Sequence, residues 1–295
     1  MTAIALLTAA AARYLDEDLP PLASALTESG AQFAIVDWDT ADEDWSRFDL
    51  AVLRSTWDYT QRLPEFLAAT RRIATETTLL NPPEVVLWNT DKHYLAHLAD
   101  AGVPIVPSAF VEPGDDATAA LQRFLDRSAG EFVVKPSVGA GSRDAQRYSR
   151  EERDAALAHA QRLLQAERSV LLQPYLGRVD EHGETSLIFI DGAFSHAIRK
   201  GPLLKRGEGP TRALFAAEHI TPREPSAEEI SIAARTLAAI PFAQPLLYAR
   251  VDLIHADDGT PRVLELELTE PSLFFVHGPG SAQRFARAVL GRCRR

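Results

Sequence analysis

The sequence predicts an α/β protein in which a parallel α/β unit is followed by segments built on antiparallel hairpins. Three observations point there. Short apolar runs alternate with helical stretches from Ile4 to Leu53, the spacing of βαβ units and hence of a parallel sheet. Asp191-Gly192 and Asp258-Gly259 each lie between two β-rich runs, and an Asp-Gly pair supplies the positive φ angles of a tight hairpin turn. Asn81-Pro82-Pro83 interrupts the pattern, which places a boundary near residue 88.

Length and composition bound the rest. A chain of 295 residues with 46% apolar content is large enough for two or three domains. A net charge of −10, with no Lys/Arg cluster before Arg292, Arg294 and Arg295, argues against a nucleic-acid partner, because phosphate backbones call for a basic stripe. No run reaches the roughly 18 apolar residues of a membrane span, so no membrane partner is expected. The apolar stretch at Ala3–Ala12 has no Lys or Arg before it and reads as a first buried strand rather than a signal sequence. A sole cysteine, Cys293, excludes an intrachain disulfide and fits a reducing cytoplasm.

In chain order, a strand at Ala3–Thr8 leads to a helix ending near Gly30, followed by strands at Phe33–Val36 and Leu50–Leu53. Loops at the carboxyl ends of parallel strands carry ligands. Arg54, Ser55, Thr56, Trp57, Asp58 and Tyr59 occupy such a loop. They grip a small zwitterionic or carboxylate substrate with Arg54 as anchor, or else form a strand-to-helix turn with Trp57 packed inside. Asn89 or Thr90 caps a helix over Asp91–Ala101, stopped by Gly102 and Pro104. Lys92 then falls in its first turn, where a cation opposes the helix dipole unless an anion is near.

Phe132–Val134 forms a strand that delivers Lys135 to a loop of small residues, Gly139, Ala140, Gly141 and Ser142. Backbone amides of such a loop can close on an anion, although here the lysine precedes the glycines, unlike the Walker arrangement. Ser149 and Glu152 form a capping box for a helix running to about Glu167. Val170–Leu176 is a strand that breaks into a connector at Pro174. Pairing outward from Asp191-Gly192 sets Glu184 opposite Arg199, with Lys200 next in line. The 201–218 stretch, with Lys205, Arg206 and Arg212, is long enough for a mobile active-site loop, or is plain surface. Helices follow at Ala227–Ala239 and from about Ser281.

The last hairpin carries the strongest chemical signal. Pairing outward from Asp258-Gly259 sets Asp252 opposite Glu265 and Arg250 opposite Glu267, all on one face. Val251, Leu253, Leu264, Leu266 and Leu268 then form the core face. Opposed like charges destabilise a sheet, and one guanidinium cannot satisfy three carboxylates. Clustered oxygen ligands suit a divalent metal, Mg²⁺ above all, used together with substrate phosphates. The plainer reading is a solvated strand face with one Arg–Glu pair.

Taken together, the helix lysine, the strand lysine with its glycine loop, the connector, the basic strand end, Arg250-x-Asp252 and Glu265-x-Glu267 resemble the ATP-grasp superfamily of glutathione synthetase-like and D-alanine:D-alanine ligase-like enzymes. The resemblance covers about residues 89–275. It implies three parts: an N-terminal α/β substrate-side domain over 1–88, a small lobe over 89–172, and a large lobe over 173–295, the two lobes clamping ATP. It further implies Lys92, Lys135 and the 139–143 loop on the phosphates, Gln173, Tyr175 and Leu176 at the adenine, and Asp180 or Glu184 at the ribose. Asp252, Glu265 and Glu267 would hold two Mg²⁺ ions, with Arg250, Lys200 and Arg199 stabilising the reacting oxygens.

The segments Leu53–Tyr59, Val138–Asp144 and Glu267–Ser272 resemble the subgroup that contains the O-ureidoserine cyclo-ligase of cycloserine biosynthesis. That likeness implies a small amino-acid-like substrate contacting Arg54, Ser55, Thr56, Trp57, Asp58 and Ser272. Its carboxylate would be converted to an acylphosphate and then attacked by an amine. His196, His255 and His277 are not needed as bases. Related enzymes are commonly dimers, which makes a homodimer the implied assembly. An amide or dipeptide ligase, a small-molecule kinase and a nucleotide sensor without turnover are the competing readings.

Overall fold

The computed structural model describes residues 2–204, 219–243 and 245–293, and Lys205, Arg206 and Arg212 lie outside them. The first layer is a parallel sheet of β1 (Ala3–Thr8), β2 (Gln32–Asp37), β3 (Leu50–Ser55) and β4 (Thr78–Leu80), in the order β2-β1-β3-β4. Helix α1 (Leu19–Glu28) covers one face and α2 (Leu63–Glu76) the other. Strands buried on both faces explain the nearly continuous apolar runs read from the sequence.

Pro82-Pro83 does not begin a free linker. Pro83 starts α3 (Pro83–Asn89), because a proline at the first helical position lacks only an N–H that would be unsatisfied there anyway. The expected boundary at residue 88 therefore falls inside a helix. After a turn comes α4 (Tyr94–Asp100), shorter than expected, so Lys92 precedes the helix rather than lying in its first turn.

A second, antiparallel sheet contains β5 (Ala109–Val111), β6 (Phe132–Pro136), β7 (Gln146–Tyr148) and β8 (Val170–Pro174), ordered β5-β8-β6-β7. Helices α5 (Ala117–Arg127) and α6 (Arg153–Gln165) cover one face and enclose a core of its own around Phe132, Leu121 and Leu163. The Ser149/Glu152 capping box is present as expected.

Helix α7 (Val179–His182) leads to the third sheet, ordered β11-β10-β9-β12-β13 and antiparallel throughout. Its strands are β9 (Glu184–Ile190), β10 (Ala193–Lys200), β11 (Ile220–Pro222), β12 (Tyr248–His255) and β13 (Pro261–Glu267). Helix α8 (Ala227–Ala238) packs with α4 on one face, while α1 and α9 (Ser281–Cys293) pack on the other. Because α1 also belongs to the first sheet, the N-terminal layer and the third sheet share one core, with Ile4 and Leu6 in the same cluster as Ile188, Tyr248 and Phe285. No helix among the described residues is long and apolar enough to cross a membrane.

Two bulges adjust the hairpin registers. In β10 the pairing shifts at Ser195, so Glu184 stands opposite Lys200 and Arg199 opposite Thr185. The expected Glu184–Arg199 pair does not form. In the last hairpin the turn takes three residues, 257–259, closed by Ala256 and Thr260, rather than two. Leu264 is then an extra residue in β13. The bulge restores the register, so Arg250 faces Glu267 and Asp252 faces Glu265 as expected. Its consequence is that Val263 enters the core in place of Leu264, which turns towards the cleft.

Candidate active site

Strand β13 is an edge, and its outer backbone groups need partners. Side chains from the α3–α4 region supply them. Asn89 donates to the Leu266 carbonyl and accepts from the Leu268 amide, both at 2.7 Å, and the Tyr94 hydroxyl accepts from the Leu266 amide at 3.0 Å. Asn81 donates to the carbonyls of Leu268 and Tyr248. These bonds fix the strand that aims Glu265 and Glu267 into a cleft between the second and third sheets.

Oxygen atoms of Asp252, Glu265 and Glu267 lie within 4.8 Å of one another. Four cations surround them. Lys135 Nζ donates to Glu265 Oε1 at 2.8 Å, and Lys92 Nζ lies 3.8 Å from the same oxygen while donating to the Gly139 carbonyl at 2.9 Å. Arg250 grips Asp252 through Nε and Nη2 and also bonds Glu267 and the Ser272 carbonyl. Lys200 bridges Asp252, at 3.1 Å, and Glu184.

Burial works to raise the pKa of every one of these carboxyls, and the local partners decide the outcome. At Asp252 burial is outweighed by Arg250 and Lys200, and at Glu265 by Lys135 and Lys92, so both are held below the ordinary carboxylate range. At Glu184 and Glu267 burial prevails over the neighbouring cations and both are raised. Lys92, Lys135 and Lys200 from other elements, with Arg250, offset the charge of the three close carboxylates. The oxygen-only donor set suits a hard divalent ion such as Mg²⁺.

The small-residue loop forms the cleft wall above Lys135, with Gly139, Ala140, Gly141 and Ser142 all lining it. Its far end is anchored by Asp144, which accepts from Arg162 and Arg168. Gln173, Tyr175 and Leu176 line the cleft where adenine is expected, with Gln173 donating to Ser108. Glu184 lines it as well. Asp180 stands outside the lining and is engaged by Arg147 and the Tyr175 hydroxyl.

Several expected contacts lie elsewhere. Arg199 turns away from the cleft and donates to the carbonyls of His182 and Glu181. Its strand neighbour Lys200 takes the cleft face because side chains alternate. Arg54 is 0% exposed, donating to Asp18 and to the Pro271 carbonyl beneath the rings of Phe275 and Phe285. It is a buried residue and is absent from the cleft lining. Ser55 bonds Thr8, Thr56 is buried, and Asp58 accepts from Trp38 Nε1. Of the six expected substrate residues, Trp57 and Ser272 line the cleft. His196 donates to or accepts from Ser195 and bonds the Leu273 carbonyl, and His196, His255 and His277 are absent from the cleft lining.

A family model described as the D-cycloserine synthetase DcsG N-terminal domain matches residues 4–81. The cycloserine biosynthesis protein DcsG of Streptomyces lavendulae is 42% identical over 298 residues, covering 99% of each chain. The chain belongs to the D-cycloserine synthetase family.

The crystal structure of D-cycloserine synthetase DcsG agrees with a TM-score of 0.91 over 99% of both chains. More distant structures share the ATP-grasp fold. The ligase PsnB, complexed with minimal precursor, Mg and ADP, is 20% identical with a TM-score of 0.65, covering 99% of this chain and 98% of that one. The Bacillus anthracis D-alanine–D-alanine ligase complexed with ATP is 14% identical with a TM-score of 0.64, covering 99% and 97%. This D-cycloserine synthetase family member is therefore built on the ATP-grasp ligase fold.

Tyr59, from the expected substrate loop, lines the family member's cleft, and so do Tyr94, Glu270 and Phe274, which the sequence reading did not assign to it. Glu270 was visible as the third acid in Glu265-x-Glu267-x-x-Glu270, a pattern that the period of a strand does not explain. Phe274 has φ 51°, and the backbone there is held by the Asp18 carboxylate, which accepts from the amides of Leu273, Phe274 and Phe275.

Proposed function

We propose that this chain is an ATP-dependent ligase that closes the cycloserine ring from O-ureido-serine. The observation that carries the reading is the convergence of Asp252, Glu265 and Glu267 with Lys92, Lys135, Lys200 and Arg250 on one cleft face. Lys92, Lys135 and the 139–142 loop hold the ATP phosphates, and Asp252, Glu265 and Glu267 hold two Mg²⁺ ions. When bound, magnesium neutralises charge on the transferring phosphoryl group. Gln173, Tyr175 and Leu176 take the adenine, and Glu184 rather than Asp180 faces the nucleotide side of the cleft.

Lys92 and Lys135 pair with Glu265. The same two cations would hold phosphate oxygens, and Glu265 would serve as a metal ligand. Arg250 and Lys200 stabilise oxygens on which charge develops as the substrate carboxylate takes the phosphoryl group. A nitrogen of the same molecule then attacks the acylphosphate carbonyl and phosphate leaves, forming the C–N bond. Cycloserine lacks the carbamoyl group of the substrate, so hydrolysis of that group accompanies or follows closure. No side-chain nucleophile is required.

A coupled assay tests this. ADP release should depend on O-ureido-serine, hydroxylamine should trap a hydroxamate, and cycloserine should accumulate. ADP formation with a stable phosphoester product would instead mark a kinase.

A further inference from the structure

Among the described residues, five carboxylates line the cleft, and four of them have a cationic partner. Glu184 has Lys200, Asp252 has Arg250 and Lys200, Glu265 has Lys135 and Lys92, and Glu267 has Arg250. Glu270 has no ion pair with a Lys, Arg or His among the described residues, although it is only 9% exposed. Its hydrogen-bonding neighbour is the Tyr59 hydroxyl, and the Trp57 indole donates to its backbone carbonyl at 2.9 Å, tying this stretch to the N-terminal layer. A nearly buried carboxylate without an ion-pair partner is costly, and the same burial, with Glu267 nearby, outweighs Tyr59, Lys92 and Arg250 and pushes its pKa up to about 8. The wall around it is formed by Trp57, Tyr59, Ser272 and Phe274.

We propose that Glu270 is the receptor for the α-ammonium group of the amino-acid substrate. The inference rests on the reading of this cleft as the seat of an amino-acid carboxylate. In such a substrate the ammonium is one carbon away from the carboxylate. Glu270 lies three residues beyond Glu267, with Arg250 close enough to act on its charge. Seating the ammonium at Glu270 therefore turns the carboxylate towards Arg250 and the acidic cluster, where the phosphoryl group is transferred. The incoming cation completes the one cleft carboxylate that has no ion pair among the described residues, and Tyr59 holds the carboxyl in place. The two fixed groups leave the substrate side chain one direction to follow, so the same contact orders the molecule for ring closure.

The test compares two acids on the full chain: O-ureido-serine and 3-(ureidooxy)propanoic acid, which differs only in lacking the amine. Wild type should show a KM for ADP release roughly 10- to 100-fold lower with the amine present, the range of a charge-assisted hydrogen bond. In E270Q that gap should close through a higher KM for O-ureido-serine. The KM values for the deamino acid and for ATP should stay within about threefold of wild type, which also shows that the variant is folded. E270D, which keeps the charge on a shorter arm, should retain part of the gap and serves if E270Q does not fold. Equal KM values for the two acids in wild type overturn the assignment without any variant, as does a gap that survives in E270Q. Absence of ADP release from wild type with either acid brings down the ligase reading itself, and Glu270 with it. ADP release with a surviving gap removes only the Glu270 assignment.

Discussion

Lys200, not Arg199, stands opposite Glu184, and its ammonium bridges Glu184 to Asp252. The single extra residue at Ser195 accounts for the exchange, because a one-residue shift moves every later side chain of the strand to the other face. The cleft thereby gains a buried ammonium, and the guanidinium of Arg199 caps the carbonyl end of α7 instead.

The two neighbours should consequently separate in a kinetic experiment. K200M leaves Asp252 with Arg250 alone and Glu184 with no ammonium, and kcat for ADP release should fall by roughly 100-fold or more. R199A should hold kcat within about threefold and lower the melting temperature modestly. A comparable loss of kcat in both variants would show that the face assignment is wrong.

Gly183 guards the same contact. It has φ 76°, and a Cβ there would lie 2.5 Å from the Lys200 carbonyl oxygen. G183A should cost about 1–3 kcal/mol in denaturant unfolding, from left-handed strain plus the displaced strand. Its kcat should fall along with that of K200M, since the backbone that must give way carries Lys200.

The parallel layer, the two hairpins and the acid-facing-acid register were legible because they depend on local signals: strand period, Asp-Gly turns and apolar alternation. The bulges at Ser195 and Leu264 were not, since neither residue carries a turn signal. At Leu264 the extra residue compensated for a longer turn and left the pairing of Asp252 with Glu265 intact, whereas at Ser195 nothing compensated. Arg54 was misread for a different reason. A cation at a strand end reads as a ligand anchor unless its counter-charge is known, and Asp18 lies on another element, at the start of α1. Glu270 was missed because its partner Tyr59 and its neighbour Trp57 reach it only through tertiary packing.

The clamp on β13 offers a test that touches no charged group. N89A would leave the Leu266 carbonyl and Leu268 amide unpaired in a buried setting, at a cost of about 1–3 kcal/mol each before any water enters. Because those bonds aim Glu265 and Glu267, the variant should also need a higher Mg²⁺ concentration for half-maximal ADP release, by roughly 10-fold. Unfolding in urea and a magnesium titration measure the two effects. Lost stability with an unchanged magnesium requirement would separate the clamp from the metal site.

Glu265 and Glu270 should drive the stability of the nucleotide-free protein in opposite directions as pH changes. Glu265 is held down to about 2, against an ordinary glutamate value of 4.5, because Lys135 and Lys92 overcome the burial that would raise it. Its folded form gives up the proton more readily than its unfolded form, so its stabilisation is complete above about pH 4.5 and fades as pH falls towards 2. Glu270 is pushed up to about 8, so the folded chain keeps a proton that the unfolded chain has already lost. Stability therefore declines as pH rises from about 4.5 to 8, and the penalty is complete above that. Without nucleotide or metal, E265Q should lower stability at neutral pH by on the order of 1–3 kcal/mol, with the deficit shrinking in acid. E270Q should be nearly silent at about pH 4.5 and raise the melting temperature at about pH 9. Melting curves of both variants and wild type across that range decide the matter, and parallel curves for E270Q and wild type would mean that the Glu270 carboxyl is already ionised at neutral pH.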